Sequence, residues 1–497
     1  MIATTDATAA LRRSLYLTVA MLSLGIVAAK IIGAENLFEP SRYKPPTAAG
    51  YTGYLEPGAV PKRVWPAVRP EPTPMLSSND RSRFATIRVL VEQGTYAIGK
   101  RENFRSDKGF VDTGVIFQDG YQSLDKVMDP ETGVFYSSKP PLFPTVLAGV
   151  YFILNRVFGL EMDRDRWWVV SILLLIVNLL PFAAYLWLLA KLSEQHFSGD
   201  FGKLFTYTFA ATATFLTTFS TTLNNHLPAC CCVLFALYPL LRREQSGPLG
   251  LFLSGFFSGV AATLELPALS LTAALFVHQL RTRNLKAWPF LIGALIPALA
   301  FFGSNYASIG KWLPAYGEFG GPWYDFPGSN WVKLKDPMLR PTLGIDGAEE
   351  PKWLYAFHLT FGHHGWFSLT PVWLVAGCGL MAQAARALRL RAAAKPVEQL
   401  AIMTLLVSIV VFAFYVMKSN NYGGFTSCAR WLMWLTPLWL FGLPDAAERL
   451  NRTTAGRAFL VMLLFASAFA VYYPSWNPWR PPWILQLCEL VGWVRYY

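Results

Sequence analysis

The stretch "FYSSKPPLFPTVLAGVYFIL" (residues 135–154) decides how the chain is threaded through a membrane. It opens with a polar segment ending in Lys139 and two prolines, and it continues as an apolar run that a third proline interrupts near its start. A transmembrane helix needs about 20 predominantly apolar residues. Because the unbroken apolar part is shorter, we predict that residues 143–158 form an embedded helix on the outer face and do not cross.

The composition around this stretch is that of a membrane protein. The chain has 497 residues, of which 53% are hydrophobic and 15% charged, whereas soluble domains carry about 25% charged residues. The net charge of +12 is spread over short basic clusters between apolar runs, with no basic stripe, so we predict no nucleic-acid partner. Six cysteines without CxxC spacing argue against a metal or disulfide framework. The fold class is therefore all-α and polytopic.

The apolar runs predict about eleven transmembrane helices. Basic clusters occupy alternate loops, which places those loops and the N-terminus in the cytoplasm if residues 143–158 do not cross. The C-terminus would then lie outside. The first span lies within 1–33, and the others are predicted at about 167–189, 204–222, 227–241, 248–264, 267–280, 288–306, 366–385, 399–417, 431–443 and 458–473.

This predicted membrane topology divides the chain into three regions. Residues 1–33 are predicted to be a signal-anchor helix, and 34–166 a large external loop that begins with the proline-rich stretch 39–74. Residues 167–497 are predicted to form the transmembrane bundle, with a second external loop at 310–352. The two loops could cover the external mouth of the bundle.

The first external loop contains "SSNDRSRFATIRVLVEQGTYAI" (77–98), which predicts a helix. Ser78, Asn79 or Asp80 can cap its first turn, and its apolar residues recur at helical spacing. We predict that this amphipathic helix lies along the bilayer surface. Asp80 is either a helix cap or a catalytic carboxylate. Lys139, at the start of the next helix, is suited to an anion such as a lipid phosphate, and the alternative is a lysine that snorkels to ordinary headgroups.

The segments "NDRSRFATIRVLVEQGTYAI" (79–98) and "GVFYSSKPPLFPTV" (133–146) resemble the first periplasmic loop of GT-C fold glycosyltransferases, in particular the protein mannosyltransferase and aminoarabinose transferase group. The resemblance implies a GT-C-like bundle that transfers a sugar from a polyprenyl-phosphate donor. It also implies that Asp80 serves the acceptor and that Lys139 binds the donor phosphate. The chain departs from the pattern where Arg81 replaces the usual second acid and Ser138 replaces a glutamate.

Further site candidates stand near other predicted helix ends. Asn225 and His226 end one loop, and Glu265 precedes a proline between two short runs. Arg430 follows a Gly-Gly pair in a pattern similar to that of related sugar transferases, which suits phosphate binding, although it could instead be an interfacial anchor. Asp80 with a lone imidazole makes a poor cage for a divalent cation, so we predict no tightly bound metal and no cofactor.

"GHHGWFSLTP" (362–371) places His363 and His364 at the outer start of a span. Adjacent side chains point to different sides, so we expect at most one of these histidines to face a site. The stretch is also similar to one found in related bacterial members of the group.

Taken together, these features predict an inverting membrane glycosyltransferase of the bacterial inner membrane, with its site on the periplasmic face. The acceptor is predicted to be a lipid, glycan or protein, and membrane lipids surround the bundle. Two alternatives stay open: a transporter or flippase of lipid-linked saccharides, for which internal repeats are expected, and a catalytically degenerate membrane scaffold.

Overall fold

The computed structural model describes residues 2–34, 72–105, 109–242, 247–419 and 421–496. The predicted proline-rich stretch 39–74 lies almost entirely outside the described residues. The helices are α1 (Ile2–Ile32), α2 (Ser78–Glu92), α3 (Leu142–Phe158), α4 (Arg166–Leu174), α5 (Leu180–His196), α6 (Asp200–Thr212), α7 (His226–Leu241), α8 (Pro248–Leu264), α9 (Leu269–Arg283), α10 (Trp288–Ile309), α11 (Lys352–Thr360), α12 (Trp366–Leu369), α13 (Val372–Leu390), α14 (Pro396–Lys418), α15 (Thr436–Leu440), α16 (Leu443–Leu450), α17 (Thr454–Tyr472) and α18 (Trp483–Leu490).

The predicted class, a polytopic helical membrane protein, is confirmed. Five helical segments among the described residues are long and apolar enough to cross a membrane, and three shorter apolar helices accompany them. The predicted number of about eleven spans is not confirmed. The five are Ala7–Ile32, Arg166–His196, Leu266–Ile309, Pro396–Lys418 and Thr454–Tyr472.

Three of the predicted spans are wrong as continuous helices, and one of them, predicted at 366–385, is divided between α12 and α13 at Thr370 and Pro371. In the run predicted at 204–222, α6 already ends at Thr212. The hydroxyls that follow bond to nearby carbonyls, as Thr217 does to Thr214 and Ser220 does to Thr217, and such local bonds compete with a regular helix. The run predicted at 431–443 is divided between a 3₁₀ turn (Arg430–Leu435) and the short helix α15.

The first external segment also contains a sheet that the sequence analysis did not predict. Its strands are β1 (Gly99–Glu102), β2 (Val111–Thr113), β3 (Lys126–Met128) and β4 (Val134–Ser137). They pair antiparallel in the order β2-β1-β4-β3, with Gly99 opposite Phe135 and Val127 opposite Tyr136. Strand β4 runs directly into the segment that carries Lys139, so the sheet sets the position of that lysine.

Helix α2 is buried on all sides, so the prediction of a helix lying along the bilayer surface is wrong. Asn79, Arg81 and Arg83 are buried together with the apolar residues of the helix. Its N-cap is Ser77, one residue before the predicted candidates, and Asp80 completes a capping box with it. The polar residues of α2 therefore face protein, which makes them candidates for a site.

Helix α3 has 17 residues, a length of about 26 Å at 1.5 Å per residue. It buries one face, which includes Leu147 and Tyr151, against the protein, whereas Phe152 and Val157 on the other face are exposed. Since the hydrocarbon core is about 30 Å thick, this length agrees with an embedded helix, and the absence of a crossing stays a prediction.

Helices α8 and α10 pack closely through glycines. A Cβ added at Gly255 would lie 1.9 Å from the Phe290 carbonyl oxygen, and one added at Gly293 would lie 2.1 Å from that of Phe252. Gly259 stands four residues after Gly255, a spacing of small residues that lets membrane helices approach.

We expect Gly293→Leu to lower the thermal unfolding midpoint of the purified protein, with a cost of about 1–3 kcal/mol or more from overpacking. Gly303→Leu on the same helix is the matched control, because a Cβ there meets nothing within 4 Å. Intrinsic tryptophan fluorescence in detergent measures both midpoints. Equal midpoints for the two variants would contradict the importance of this contact.

Candidate active site

The Asp80 carboxylate lies at the N-terminus of α2 and is almost fully hydrogen-bonded. The amides of Leu76 and Ser77 donate to Oδ2 at 3.1 and 3.2 Å. The Ser77 hydroxyl donates to Oδ1 at 2.9 Å, and the Thr222 hydroxyl donates to the same oxygen. The carboxylate is 1% exposed. Asp80 is thus a helix cap in this conformation, and it also joins the first external segment to the loop before α7.

Burial raises the pKa of Asp80 to about 6, although hydrogen bonds from Thr222 and Ser77 and the charges of Arg83 and Arg81 oppose the rise. A carboxylate with a pKa near the working pH can take up a proton more readily than an ordinary aspartate. The environment of Asp80 therefore suits a general base as well as a cap.

The loop that carries Thr222 is held by an irregular turn in the helical segment of α4 and α5. Residues Leu175–Leu179 between these helices are π-helical, a conformation that often marks functional sites. Asn178 in this turn donates to the carbonyls of Ser220 and Thr222, at 2.7 and 3.1 Å. A bundle helix thus positions the hydroxyl that binds Asp80.

Lys139 forms an ion pair with Asp125, which the sequence analysis did not single out. The Lys139 Nζ atom is 2.8 Å from Asp125 Oδ1, and the Ser138 amide donates to the Asp125 carbonyl at 3.2 Å. Burial raises the pKa of Asp125, but Lys139 outweighs this effect and keeps the pKa below its usual value. Burial lowers the pKa of Lys139, and Asp125 opposes that shift.

Lys139 also borders a small polar recess. Asn305 on α10 lines it, and its Oδ1 atom is buried without a hydrogen-bond partner among the described residues. The other polar residues that line the recess are Thr86, Tyr96, Ser137 and Ser308.

A chain of contacts links α2 to the loop before α15. Arg83 donates to Asn225 Oδ1 at 2.8 Å, and the Asn225 amide donates to Glu265 Oε1 at 2.7 Å. The same Glu265 oxygen contacts His226 Nδ1, and Arg430 lies 2.7 Å from His226 Nε2. Because arginine only donates, His226 must accept at Nε2 and carry its proton on Nδ1. His226 is therefore neutral and oriented by Glu265.

Arg430 is held by a glycine turn. Its Nε and Nη2 atoms donate to the Gly423 carbonyl at 3.2 and 3.0 Å. Gly423 has φ 98°, and a Cβ there would lie 2.7 Å from Arg430 Nε. Only glycine combines this backbone conformation with so close an approach.

Most of the predicted residues therefore lie in one region. Asn225, His226, Glu265 and Arg430 form one network, and the charges of Arg83 and Arg430 act on Lys139. Arg81 is not part of this network. It donates to the carbonyls of Ser77 and Gln122 and so connects the start of α2 to the loop before β3.

His363 and His364 do not point to different sides, so that expectation is wrong. Both rings are buried, with their Nδ1 atoms 2.6 Å apart. The turn between α11 and α12 folds them into one cluster with Tyr422. The contacts found for them among the described residues are with this cluster and not with Asp80 or Lys139.

The sequence analysis missed Arg83 and Asp125. Arg83 stands three residues after Asp80, on the same side of a helix, and this spacing was a usable signal. Asp125 reaches Lys139 only because β3 pairs with β4 and places Lys126 opposite Ser137. No local pattern indicates that pairing.

The class that these features define, a helical membrane protein with a buried polar site at the edge of its bundle, agrees with the family of the sequence. Residues 160–417 match the model of Glycosyltransferase family 87, which is more than half of the chain. The chain belongs to this family, and the prediction of a membrane glycosyltransferase family is confirmed. No curated protein matches the sequence.

Solved structures are similar to this chain at low identity. ArnT from Cupriavidus metallidurans, bound to undecaprenyl phosphate, is 14% identical with a TM-score of 0.42, over 80% of this chain and 61% of that protein. The apo oligosaccharyltransferase of Archaeoglobus fulgidus is 11% identical with a TM-score of 0.46, over 96% and 57%. The same values hold for its complex with an inhibitory peptide and dolichol-phosphate, where it is named AglB. The chain thus spans about three fifths of the length of these proteins.

Proposed function

We propose that this protein transfers a sugar from a polyprenyl-phosphate-linked donor to an acceptor hydroxyl on the outer face of the membrane, with inversion. The observation that supports this most is the gathering of three cations around the network that contains His226: Arg83, which is buried, and Lys139 and Arg430, which are partly buried. Cations with donors that converge from separate elements are suited to a phosphate.

Lys139 and Arg430 are proposed to bind the donor phosphate. A phosphate at the recess would compete with Asp125 for the Lys139 ammonium, and Arg83 would add a donor, since its Nε atom is buried without a partner among the described residues. These charges would stabilise the negative charge that develops as the sugar–phosphate bond breaks.

Asp80 is proposed to accept the proton of the acceptor hydroxyl. The hydroxyl oxygen forms a bond to the anomeric carbon from the side opposite the phosphate, and the carbon–oxygen bond to the phosphate breaks with its electron pair. The polyprenyl phosphate leaves as an anion that needs no acid, so one carboxylate suffices, unlike the pair of a glycosidase. The proton ends on Asp80, whose pKa of about 6 allows it to be released again.

The setting of the reaction is part of the proposal. The region 34–166 and the loop 310–352 would lie outside the bundle 167–497, on the periplasmic side of a bacterial inner membrane, with the signal-anchor helix in 1–33. The acceptor would be a lipid, a glycan or a protein.

The experiment is a donor panel with the purified protein in lipid nanodiscs. Polyprenyl-phosphate sugars and nucleotide sugars are supplied with lipid, glycan and peptide acceptors, and mass spectrometry measures glycosylated acceptor and free polyprenyl phosphate. We expect both products from polyprenyl-phosphate donors and none from nucleotide sugars. A transporter would move the donor between leaflets of a vesicle without breaking its sugar–phosphate bond, and a scaffold would do neither. Either outcome would contradict the proposal.

A further inference from the structure

A second cluster of chemically active side chains lies behind the glycine turn of Arg430. It combines imidazoles, a carboxylate and phenols from five parts of the chain: the loop before α11, α11 itself, the turn after it, and the two segments that follow α14 and α18. Its members are Glu350, His358, His363, His364, Tyr422 and Tyr496.

Three of these residues have the spacing of a metal site. One potential ligand atom from each of Glu350, His358 and His363 lies within 4.8 Å of the others. Around a tetrahedral Zn²⁺ at 2.0–2.1 Å, ligand atoms stand roughly 3.4 Å apart. To bind one ion, the ligand atoms would have to move closer together, and the His358 and His363 rings, which are stacked with centroids 3.9 Å apart, would have to rotate so that their lone pairs converge.

The imidazoles have the protonation state that a metal requires. Tyr422 and Tyr496 each donate a hydroxyl proton to one oxygen of Glu350. Since the Tyr496 proton is used there, His363 donates from Nε2 to the Tyr496 oxygen, at 2.8 Å, and accepts from His364 at Nδ1. Neutral imidazoles are the form that binds metal, and on His363 the ion would replace the hydrogen bond that Nδ1 accepts from His364.

The charge balance also favours a cation. Glu350 holds a partly buried carboxylate that two phenols solvate, and no lysine, arginine or histidine of the described ranges forms an ion pair with it. A carboxylate in such surroundings is costly unless a positive charge accompanies it. The Nδ1 atom of the buried His358 has no hydrogen-bond partner among the described residues, so the ring is not committed to a structural bond on that side.

We propose that Glu350, His358 and His363 bind one divalent transition-metal ion, with Zn²⁺ as the best fit. Two imidazoles and one carboxylate are a ligand set that Zn²⁺ uses, with water completing four-coordination. Whichever nitrogen of His363 binds the ion, the other keeps a polar partner in His364 or Tyr496. Such outer partners orient metal ligands.

The site would brace the segment that holds Arg430. The Tyr422 ring contacts the rings of His358 and His363, with centroids 6.4 and 4.9 Å apart, and Gly423 follows directly with the carbonyl that accepts from Arg430. The ion would therefore have a structural role, and its binding does not depend on the proposed glycosyl transfer.

Metal content tests this inference directly. The full chain is purified with an affinity tag that lacks histidine, treated with a chelator, incubated with Zn²⁺ or Co²⁺ and freed of unbound ions. We expect about one ion per chain, a visible ligand-field absorption with Co²⁺, and a higher unfolding midpoint in the presence of Zn²⁺. His363→Ala and His358→Gln should lose all three effects.

His278→Ala is the matched control, since it removes an imidazole on α9 outside the cluster and should keep all three effects. If either cluster variant fails to fold, the metal content and Co²⁺ absorption of the unaltered chain still show whether the site binds an ion. Failure to retain Zn²⁺ and to show Co²⁺ absorption would overturn the proposal and leave a hydrogen-bonded cluster only. Retention of the ion by His363→Ala would also overturn it. Neither result depends on transferase activity, so failure of the proposed function is distinguishable.

Discussion

Asp80→Asn is expected to lower sugar transfer by about 10²- to 10⁴-fold, the usual contribution of a general base, while the protein stays folded. The asparagine oxygen can still accept from the amides of Leu76 and Ser77. Its NH₂ group would face the hydroxyls of Ser77 and Thr222, which can rotate to accept instead of donate. The change therefore removes the base and retains most of the cap. Product formation by mass spectrometry and the unfolding midpoint are measured together.

The pH profile separates the base from the cap. Because a base acts when deprotonated, the rate of the unaltered protein should rise with pH through about 6, the raised pKa of Asp80. The residual rate of Asp80→Asn should lack this rise. Asp129→Asn is the control, since Asp129 also caps a turn in the same external segment, through the Glu131 amide and the Thr132 hydroxyl. Full transfer by Asp80→Asn, with loss in Asp125→Asn, would assign the base to Asp125.

Lys139→Met is expected to lower kcat/KM for the donor by about 10²-fold or more, because a charge that stabilises the leaving phosphate is lost. The side chain keeps a similar length without the ammonium. The substitution also leaves Asp125 buried without its partner, and this alone destabilises a protein. The kinetics must therefore be separated from folding.

The double variant Lys139→Met with Asp125→Asn makes that separation. It removes both charges, so we expect the unfolding midpoint to recover while donor use stays low. Lys100→Met is the matched control, since Lys100 on β1 pairs with Glu102 in an exposed position and should not affect transfer. Recovery of transfer in the double variant would show that Lys139 only neutralises Asp125 and does not serve the donor.

Local features of the sequence were enough to predict the class of protein and the positions of several helices. The apolar runs predicted long helices such as α10 and α14, because covering a membrane demands length and hydrophobicity that are visible in any window. The helix at 78–92 was predicted from its polar start and from the helical spacing of its apolar residues. The resemblance of 79–98 and 133–146 to GT-C enzymes added the function, which the family match supports.

The same local features misjudged how α2 is placed. Its periodicity predicted a helix along the bilayer surface, yet Arg81 and Arg83 are buried. Hydropathy scores a side chain as if its surroundings were water or lipid, and it does not register partners such as the Leu223 carbonyl that accepts from Arg83. The sheet was missed for a related reason, since strands of three or four residues show no usable alternation.

The sequence alone therefore established a membrane protein and its apolar helices, and it predicted a phosphate-binding role for Lys139 and Arg430. It could not establish that Lys139 pairs with Asp125, or that His226 joins Glu265 to Arg430, because the partners come from separate segments that only folding brings together. The positions of Asp80 and the histidine cluster depend on folding in the same way. The chemical nature of each side chain is known from the sequence. Its burial, its proton sharing and its charge pairing depend on which segments pack together.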